Sequence, residues 1–348
     1  MREARFIKKN VEKWSHYQNT KPENPDDMAN RFVNLLDDLS YARTFYPHSN
    51  VTRWINGLAA GIYQSIYQNR KRSFKDIVRF WKLELPLIFY KHRKVLYFSL
   101  LFFVACVGMA LLSCMADPSY AKDYFDHQVQ PGYYDHTIEL IQRGDPFGVY
   151  KDDNPFSMFV RIAYNNIRVS FTTVLLGITF GIGTLIMMYT NGFMLGCFEY
   201  IFYSQGLGWE SVLVIWIHGT IEISSVVIAG CAGFLLGKSL LFPGTFTRKQ
   251  SFIAAAKDAV KICISLVVFF FIASFFESYV THLMSNTFQK NSTQIGLPVP
   301  VSILILSGSA FLMTWYFILY PVTLHRKGFS LANNSITKNG KTYDGKSN

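Results

Sequence analysis

The sequence predicts an all-α fold: a polytopic bundle of membrane-spanning helices with a small helical domain at its N-terminus. Three observations support this prediction. Half of the 348 residues are apolar and only 16% are charged, against about a quarter in an average soluble domain. Residues 169–237 contain no Lys or Arg, although the net charge of the chain is +11. Several apolar runs reach the roughly 20 residues that a helix needs to cross a bilayer.

Five apolar runs are long enough to span the membrane, and a sixth is shorter. The shorter run, Gly192–Leu207, is apolar and aromatic and is bounded by glycines. Its length fits a crossing, a re-entrant helix or an interfacial helix. The five long runs are Val95–Ala116, Val169–Tyr189, Val212–Leu236, Ile262–Thr281 and Val299–Tyr320.

The charges between the runs decide the number of crossings. Residues 1–94 carry 18 basic and 9 acidic residues, and residues 238–261 carry five basic residues and one acid. Residues 117–168, in contrast, carry five basic and eight acidic residues. Because basic loops stay in the cytoplasm, these segments alternate consistently only if Gly192–Leu207 makes a net crossing. We therefore predict six crossings of an inner (cytoplasmic) membrane, with both termini in the cytoplasm.

This topology divides the chain into four parts. Residues 1–72 form a helical cytoplasmic domain. Residues 73–94 mix aromatic and basic side chains, which favours an amphipathic helix in the membrane interface over a helix packed on the cytoplasmic domain. Residues 95–321 form the bundle, with an external loop at 117–168. Residues 322–348 form a disordered basic tail.

The third long run contains two ionisable residues at membrane depth. His218 and Glu222 are four residues apart and share one face of a helix. Ionisable groups inside the bilayer are costly, and they either pair with one another or mark a transport pathway. A structural pair is the first interpretation, and a proton or ion site is the second. A metal site needs at least a third ligand, so we expect no metal here.

Small residues and isolated polar residues mark further candidate positions. Glycines at three- and four-residue spacing allow helices to approach closely in lipid. Glu277 lies near the end of its run, where a long side chain reaches the interface. The helix-packing glycines are Gly181, Gly230, Gly233 and Gly237, and the other polar positions are Glu199, Arg168, Arg248, Asn166 and Asn191.

The sequence lacks the patterns that are typical of enzymes and of nucleic-acid binders. It contains no Ser–His–Asp arrangement and no glycine-rich phosphate loop followed by Lys. All five cysteines lie in apolar runs and have no metal-type spacing. We therefore expect a non-enzymatic protein without catalytic residues or a cofactor, which contacts the lipid bilayer and no nucleic acid.

A set of short motifs resembles the signature of the SpoIIM-like membrane family, named after stage II sporulation protein M. The motifs are Asn166-Ile167-Arg168, Gly181-Ile182-Gly183-Thr184, Asn191-Gly192, His218-Gly219 with Glu222, Ala229-Gly230, Ala232-Gly233, Gly237, Pro243-Gly244 and Arg248, together with Phe6-Ile7, Asn10, Trp14, Asp38-Leu39, Ala42-Arg43 and Tyr46-Pro47 near the N-terminus.

This resemblance implies a membrane scaffold that recruits or organises cell-envelope partners active in peptidoglycan remodelling. The long N-terminal region is similar to that of relatives in organisms that form no spores. Those relatives imply MoxR-type ATPases or RDD-family membrane proteins as partners. A homo-oligomer is also compatible with the resemblance.

A transporter or channel is the main alternative function. Its pathway runs past His218 and Glu222, because interrupted helices near the bilayer midplane often build binding sites. Glycines interrupt the apolar runs at Gly192 and at Gly206 and Gly208. A polar cavity connected to water at the pair favours transport, whereas a dry, paired site favours the scaffold.

Cysteine labelling from the two sides of the membrane tests the six-crossing topology. We expect Gln205→Cys to react with an impermeant maleimide in intact cells, and Gln250→Cys to react only after permeabilisation, because basic loops stay inside. Labelling of position 250 in intact cells would return the number of crossings to five.

Overall fold

The computed structural model describes residues 3–67, 74–148, 154–290, 293–332 and 335–343. The chain divides into two compact units, Met1–Ile77 and Val78–Asn348. The sequence boundary at residues 72 and 73 and the last five residues of the tail lie outside the described residues.

The first unit is built from three helices, α1 (Glu3–Asn19), α2 (Pro25–Phe45) and α3 (Asn50–Tyr67). Helix α2 begins where the Asn24 side chain accepts a hydrogen bond from the backbone of Asp27 and where Pro25 takes the first helical position. The core between the helices consists of Phe6, Trp14, Leu35, Leu39, Ala42, Ile55 and Ala59.

The second unit is a helical bundle with a small sheet. In the described part of the chain, five helices are long and apolar enough to cross a membrane, which confirms the predicted all-α polytopic fold. The helices of this unit, in chain order, are α4 (Phe74–Ala116), α5 (Tyr120–Tyr124, continued by the π-helical turn Phe125–Val129), α6 (Tyr133–Gln142), α7 (Pro155–Leu175), α8 (Ile182–Ser204), α9 (Gly208–Leu241), α10 (Arg248–Phe288) and α11 (Val299–Arg326). The five that are long and apolar enough are α4, α8, α9, α10 and α11.

Helix α9 lies at the centre of the bundle and packs against α4, α7, α8, α10 and α11. Ser99 of α4 donates a hydrogen bond to the carbonyl of Val227, and Ser302 of α11 donates one to the carbonyl of Leu213. The contacts along each pair of helices show that α4, α8 and α10 run antiparallel to α9, whereas α7 and α11 run parallel to it.

Helix α7 is the sixth helix that runs through the depth of the bundle among the described residues. Its 21 residues correspond to about 31 Å, but Arg161, Asn166 and Arg168 make it more polar than the other five. The direction of the chain therefore alternates through α4, α7, α8, α9, α10 and α11.

Two of the predicted runs have the wrong boundaries. Val169–Tyr189 is not one helix, because the chain reverses at residues 176–181 between α7 and α8, where Phe180 and Gly181 have φ angles of 57° and 87°. Gly192–Leu207 is not a separate short element, because residues 192–204 form the second half of α8. Hydropathy does not reveal this turn, because its residues are mostly apolar. Its polar side chain, Thr179, bonds locally to the carbonyl of Leu176 and the amide of Gly183.

The segment 73–94 is helical over its described part and forms the N-terminal part of α4, and its position in the membrane interface stays a prediction. Leu85, Ile88 and Phe89 are buried in the core of the bundle. In the basic cluster before the first span, Lys91 and His92 bond to the buried carboxylate of Asp258 at 2.8 and 2.9 Å. The helix bends at His92, whose backbone is not helical.

The predicted disordered tail instead continues α11 to Arg326 and then, in its described residues, forms a three-stranded antiparallel sheet. Its strands are β1 (Phe329–Ala332), β2 (Ser335–Lys338) and β3 (Lys341–Thr342), in the order β1-β2-β3. Ile336 is buried against Leu87 and Leu324. This apolar contact gives the basic, polar segment a core to pack on, which its composition does not show.

Residues 117–148, which we call the cap, are folded against one end of the bundle. Helix α6 (Tyr133–Gln142) is the longest α-helix of the described cap. Ala121 and Phe125 are buried together with Cys106 and Cys114 of α4 and Phe193 of α8. We call this end the cap side and the opposite end, where α9 ends at Leu241, the far side.

On the far side, α9 approaches the α7–α8 reversal at backbone distance. A Cβ atom added to Gly233 would lie 2.7 Å from the carbonyl oxygen of Thr173, and one added to Gly177 would lie 2.8 Å from the carbonyl carbon of Gly233. Both are shorter than real Cβ contacts. The hydroxyl of Thr184 donates to the same Thr173 carbonyl at 2.8 Å and so joins α7 to α8. Gly233 is therefore required by packing.

Replacing Gly233 tests this packing. We expect Gly233→Ala to lower the free energy of unfolding by about 1–3 kcal/mol, because the added methyl group overpacks a backbone contact. Gly108→Ala in α4 is the matched control, since nothing lies within 4 Å of an added Cβ there. Thermal unfolding in detergent measures both. Equal melting temperatures for the two variants would contradict the close approach.

Candidate functional site

Three ionisable side chains meet in the middle of the bundle. His218 and Glu222 lie on one face of α9, as their spacing predicts, and Glu277 comes from the π-helical turn Phe276–Thr281 of α10. A nitrogen of His218 and one oxygen from each carboxylate all lie within 4.8 Å of one another. We call these residues the triad. Because α9 and α10 are antiparallel, Glu277 falls beside Glu222 while Thr281, four residues later, falls beside His218.

The ring of His218 is oriented by Thr281. Nδ1 of His218 lies 2.9 Å from the Thr281 hydroxyl, and this hydroxyl donates its proton to the carbonyl of Phe276 at 3.2 Å. The Thr281 oxygen therefore accepts a hydrogen bond from Nδ1, which places the proton of a neutral ring on Nδ1 and the lone pair on Nε2. His218 is buried, with 4% of its surface exposed.

Helix α7 adds polar side chains on the other side of the carboxylates. The side chain of Asn166 faces Glu222, and the positive charge of Arg161 acts on Glu277. Among the described residues, the buried amide nitrogen of Asn166 has no hydrogen-bond partner. The polar composition of α7 thus follows from its position beside the triad. Arg168, seven residues after Arg161, is exposed.

A cavity of about 710 Å³ connects the triad with the cap. Gln130 and His136 of the cap line it at one end, and Arg161 and Asn191 line it along the way. Met194, Phe198, Ile223 and Val226 add apolar surface. The volume far exceeds the roughly 10–15 Å³ that one water needs. The polar lining and the size predict that water reaches the triad.

The cavity extends along α9 only as far as Val226. Beyond that residue, α9 is buried by close contacts of its small residues. Gly230 lies against Met188 and Ser99, Gly233 against Thr173 and Thr184, and Gly237 against Gly181. Among the described residues, the cavity lining includes residues of the cap, whereas the far side of α9 is closed by helix packing.

The other candidate residues from the sequence have separate positions. Glu199 of α8 accepts hydrogen bonds from Ser211 and Trp216 of α9 at 2.9 and 2.8 Å, so it joins two helices outside the cavity. Asn191 lines the cavity and donates to the carbonyl of Met187. Arg248 is the exposed first residue of α10, where Thr247 and Gln250 form a capping box.

Sequence reasoning missed three residues of the site. Glu277 was assigned to the interface, because the sequence does not show which residue of α10 faces α9. Thr281 and Arg161 were not singled out at all. The one signal for Arg161 is an arginine seven residues before Arg168, on the same face of a helix, which is unusual at membrane depth.

Comparison with known families finds two profiles that match the chain. Residues 98–282, more than half of the chain, match the family profile of stage II sporulation protein M. The chain belongs to this family. The matched residues include the whole triad. Residues 4–68, which form α1 to α3, match a separate domain of unknown function, DUF8413.

One relative of this SpoIIM-family protein is an uncharacterized protein of the archaeon Methanocaldococcus jannaschii. The two are 31% identical over 126 residues, which cover 35% of this chain and 70% of the archaeal protein. No solved structure matches the chain. The family and the membrane location are therefore shown, and the comparisons name no substrate or partner.

Thiol labelling tests whether water reaches the triad in this SpoIIM-family protein. Ile223 lines the cavity, whereas Ile221, two residues earlier on α9, is buried in the core. We expect a small charged thiosulfonate reagent to modify Ile223→Cys and not Ile221→Cys in nanodiscs. The five native cysteines are buried and give a low background. Equal modification of the two variants, or of neither, would contradict a water-filled cavity.

Proposed function

We propose that this SpoIIM-family protein is a non-enzymatic membrane protein of the transport class, which admits a small cation from the cap side to the triad. One observation carries the proposal: the cavity that begins at the cap ends at two carboxylates and a histidine in the middle of the bundle. The sequence offered a scaffold and a transporter, and a polar cavity at His218 and Glu222 was the feature that favours transport.

The electrostatics of the cavity favour a cation over an anion. Glu222 and Glu277 contribute two acidic groups within a few ångströms of each other, and Arg161 is the cationic residue that acts on them. Burying two ionised carboxylates side by side is costly without a compensating positive charge. A proton or a metal cation that enters from the cap side supplies that charge. An anion meets repulsion at the same place.

The position of the triad also fits transport. Glu222 is close to the midpoint of α9 (Gly208–Leu241), and transporters bind their substrates and coupling ions near the bilayer midplane. The π-helical turn that carries Glu277 interrupts the regular hydrogen bonding of α10. Such turns occur frequently at functional sites. In transport terms, the present structure is open toward the cap and closed on the far side.

Cation flux in proteoliposomes tests the proposal. We expect the wild-type protein to pass protons under a pH gradient or Co²⁺ under a concentration gradient, followed with dyes inside the vesicles. Glu222→Gln keeps the shape of the side chain but removes its charge, so the flux should fall by about tenfold or more. Glu199→Gln is the matched control, because Glu199 is a half-buried carboxyl group of the same bundle outside the cavity.

The flux experiment also separates the two functional classes. A folded wild-type protein that passes neither protons nor Co²⁺ would contradict transport. Equal fluxes for wild type and Glu222→Gln would remove the triad from the pathway.

A scaffold that recruits envelope proteins is the second candidate function. The observation that favours it is the cap, which is a built surface of helices packed on α4 and α8. The resemblance implies peptidoglycan-remodelling partners, MoxR-type ATPases and RDD-family proteins, and the positive-inside rule places the cap outside and both termini in the cytoplasm. Two results together support this second candidate: the folded protein passes no cation, and substitutions in the triad lower its stability.

A further inference from the structure

We propose that His218, Glu222 and Glu277 bind a divalent first-row transition-metal ion, such as Zn²⁺, at the end of the cavity. The inference rests on the proposed function for its role, because it names the cation that the cavity admits. It revises the expectation from the sequence that no metal binds, since Glu277 supplies the third ligand that His218 and Glu222 lacked.

The types of the three ligands select the class of metal. Imidazole nitrogen suits Zn²⁺, Fe²⁺ and Ni²⁺, and carboxylate oxygen adds Mn²⁺. Calcium and magnesium are bound by oxygen ligands, usually more than the two carboxylates offered here. Two carboxylates supply two negative charges, which attract a divalent ion more strongly than a monovalent one. A site of one histidine and two glutamates therefore favours a divalent transition metal over an alkali or alkaline-earth ion.

The spacing of the ligands fits such an ion after small side-chain movements. Zinc lies about 2.0–2.2 Å from nitrogen and oxygen ligands, so that ligand atoms around it are roughly 3.5 Å apart. The three ligand atoms here all lie within 4.8 Å of one another. Three protein ligands leave a fourth position for water, as in open zinc sites. In this fold that position faces the cavity, which provides the entry path.

Two further residues give the site the surroundings of a metal centre. Metal-binding histidines commonly donate their second ring N–H to a fixed acceptor, which sets the tautomer. Thr281 accepts this hydrogen bond from Nδ1 of His218 and leaves the lone pair on Nε2. Asn166 faces Glu222 with a buried amide nitrogen that lacks a partner. This amide is placed to donate to the second oxygen of a Glu222 carboxylate that binds metal.

Arg161 sets a limit on how tightly the metal is held. Its positive charge acts on Glu277. The two carboxylates of Glu222 and Glu277 and the guanidinium of Arg161 together carry a single negative charge. A divalent ion in the triad is therefore not fully neutralised. This distinguishes the site from structural zinc sites, which hold the ion permanently, and it suits an ion that enters and leaves.

Metal binding to the purified full-length protein in detergent tests the proposal. We expect one Co²⁺ per chain, seen as visible absorption bands typical of a low coordination number, and displacement of Co²⁺ by Zn²⁺. Loss of outer partners of a metal site costs about 10–100-fold in affinity, which is the effect expected for Thr281→Val. Glu222→Gln and Glu277→Gln remove ligands and should lose about 100-fold or more.

Glu199→Gln is the control variant and should bind Co²⁺ as the wild type does. Helicity and elution from size exclusion without metal show that each variant is folded. Absence of Co²⁺ bands in the folded wild type would overturn the metal site, and so would unchanged affinity in Glu222→Gln.

The binding and flux results distinguish the two proposals. Proton flux without metal binding overturns the metal site and leaves the transport proposal standing. Metal binding without any flux keeps the site and overturns the transport proposal.

Discussion

The close contact between the small residues of α9 and the helices around it is the interaction on which the rest of the bundle depends. In lipid, helices do not associate through the hydrophobic effect, and packing at short range takes its place. Gly233 lies against the backbone of α7 and Gly237 against Gly181 at the α7–α8 reversal. These contacts fix where α7 and α8 stand, and hence which side chains face the polar half of α9.

The polar half of α9 is tolerated because its neighbours are fixed. A histidine and a glutamate at the middle of a bilayer require partners, and here the partners come from two other helices: Thr281 and Glu277 from α10, and Asn166 from α7. A looser bundle exposes the same groups to lipid at a cost of several kcal/mol for each unsatisfied group. The close packing of the small residues in one half of α9 thus holds in place the partners that the ionisable residues in the other half need.

The sequence predicted the fold class, four of the five long apolar spans in outline, and the pair His218 and Glu222, because hydropathy and helical spacing are local properties. It failed where structure depends on contacts between distant segments. The reversal at residues 176–181 is apolar and was taken as part of a span, and the tail gains its core only from Leu87 and Leu324. Glu277 joined the site only when α10 was placed antiparallel to α9, which no local pattern specifies.

The same geometry that builds the site constrains how a cation continues beyond it. The cavity stops at Val226, and the next layers toward the far side are the contacts of Gly230, Gly233 and Gly237. Gly230 meets the side chains of Met188 and Ser99, whereas Gly233 and Gly237 meet backbone and the small side chain of Thr184, so that a side-chain rotation cannot open these last two layers. A path to the far side requires α7 and α8 to move as a hairpin away from α9. Because Asn166 and Arg161 lie on α7, that movement also withdraws them from Glu222 and Glu277. Under the proposed transport function, opening of the far side would therefore also weaken the cation site, as release of a bound cation requires.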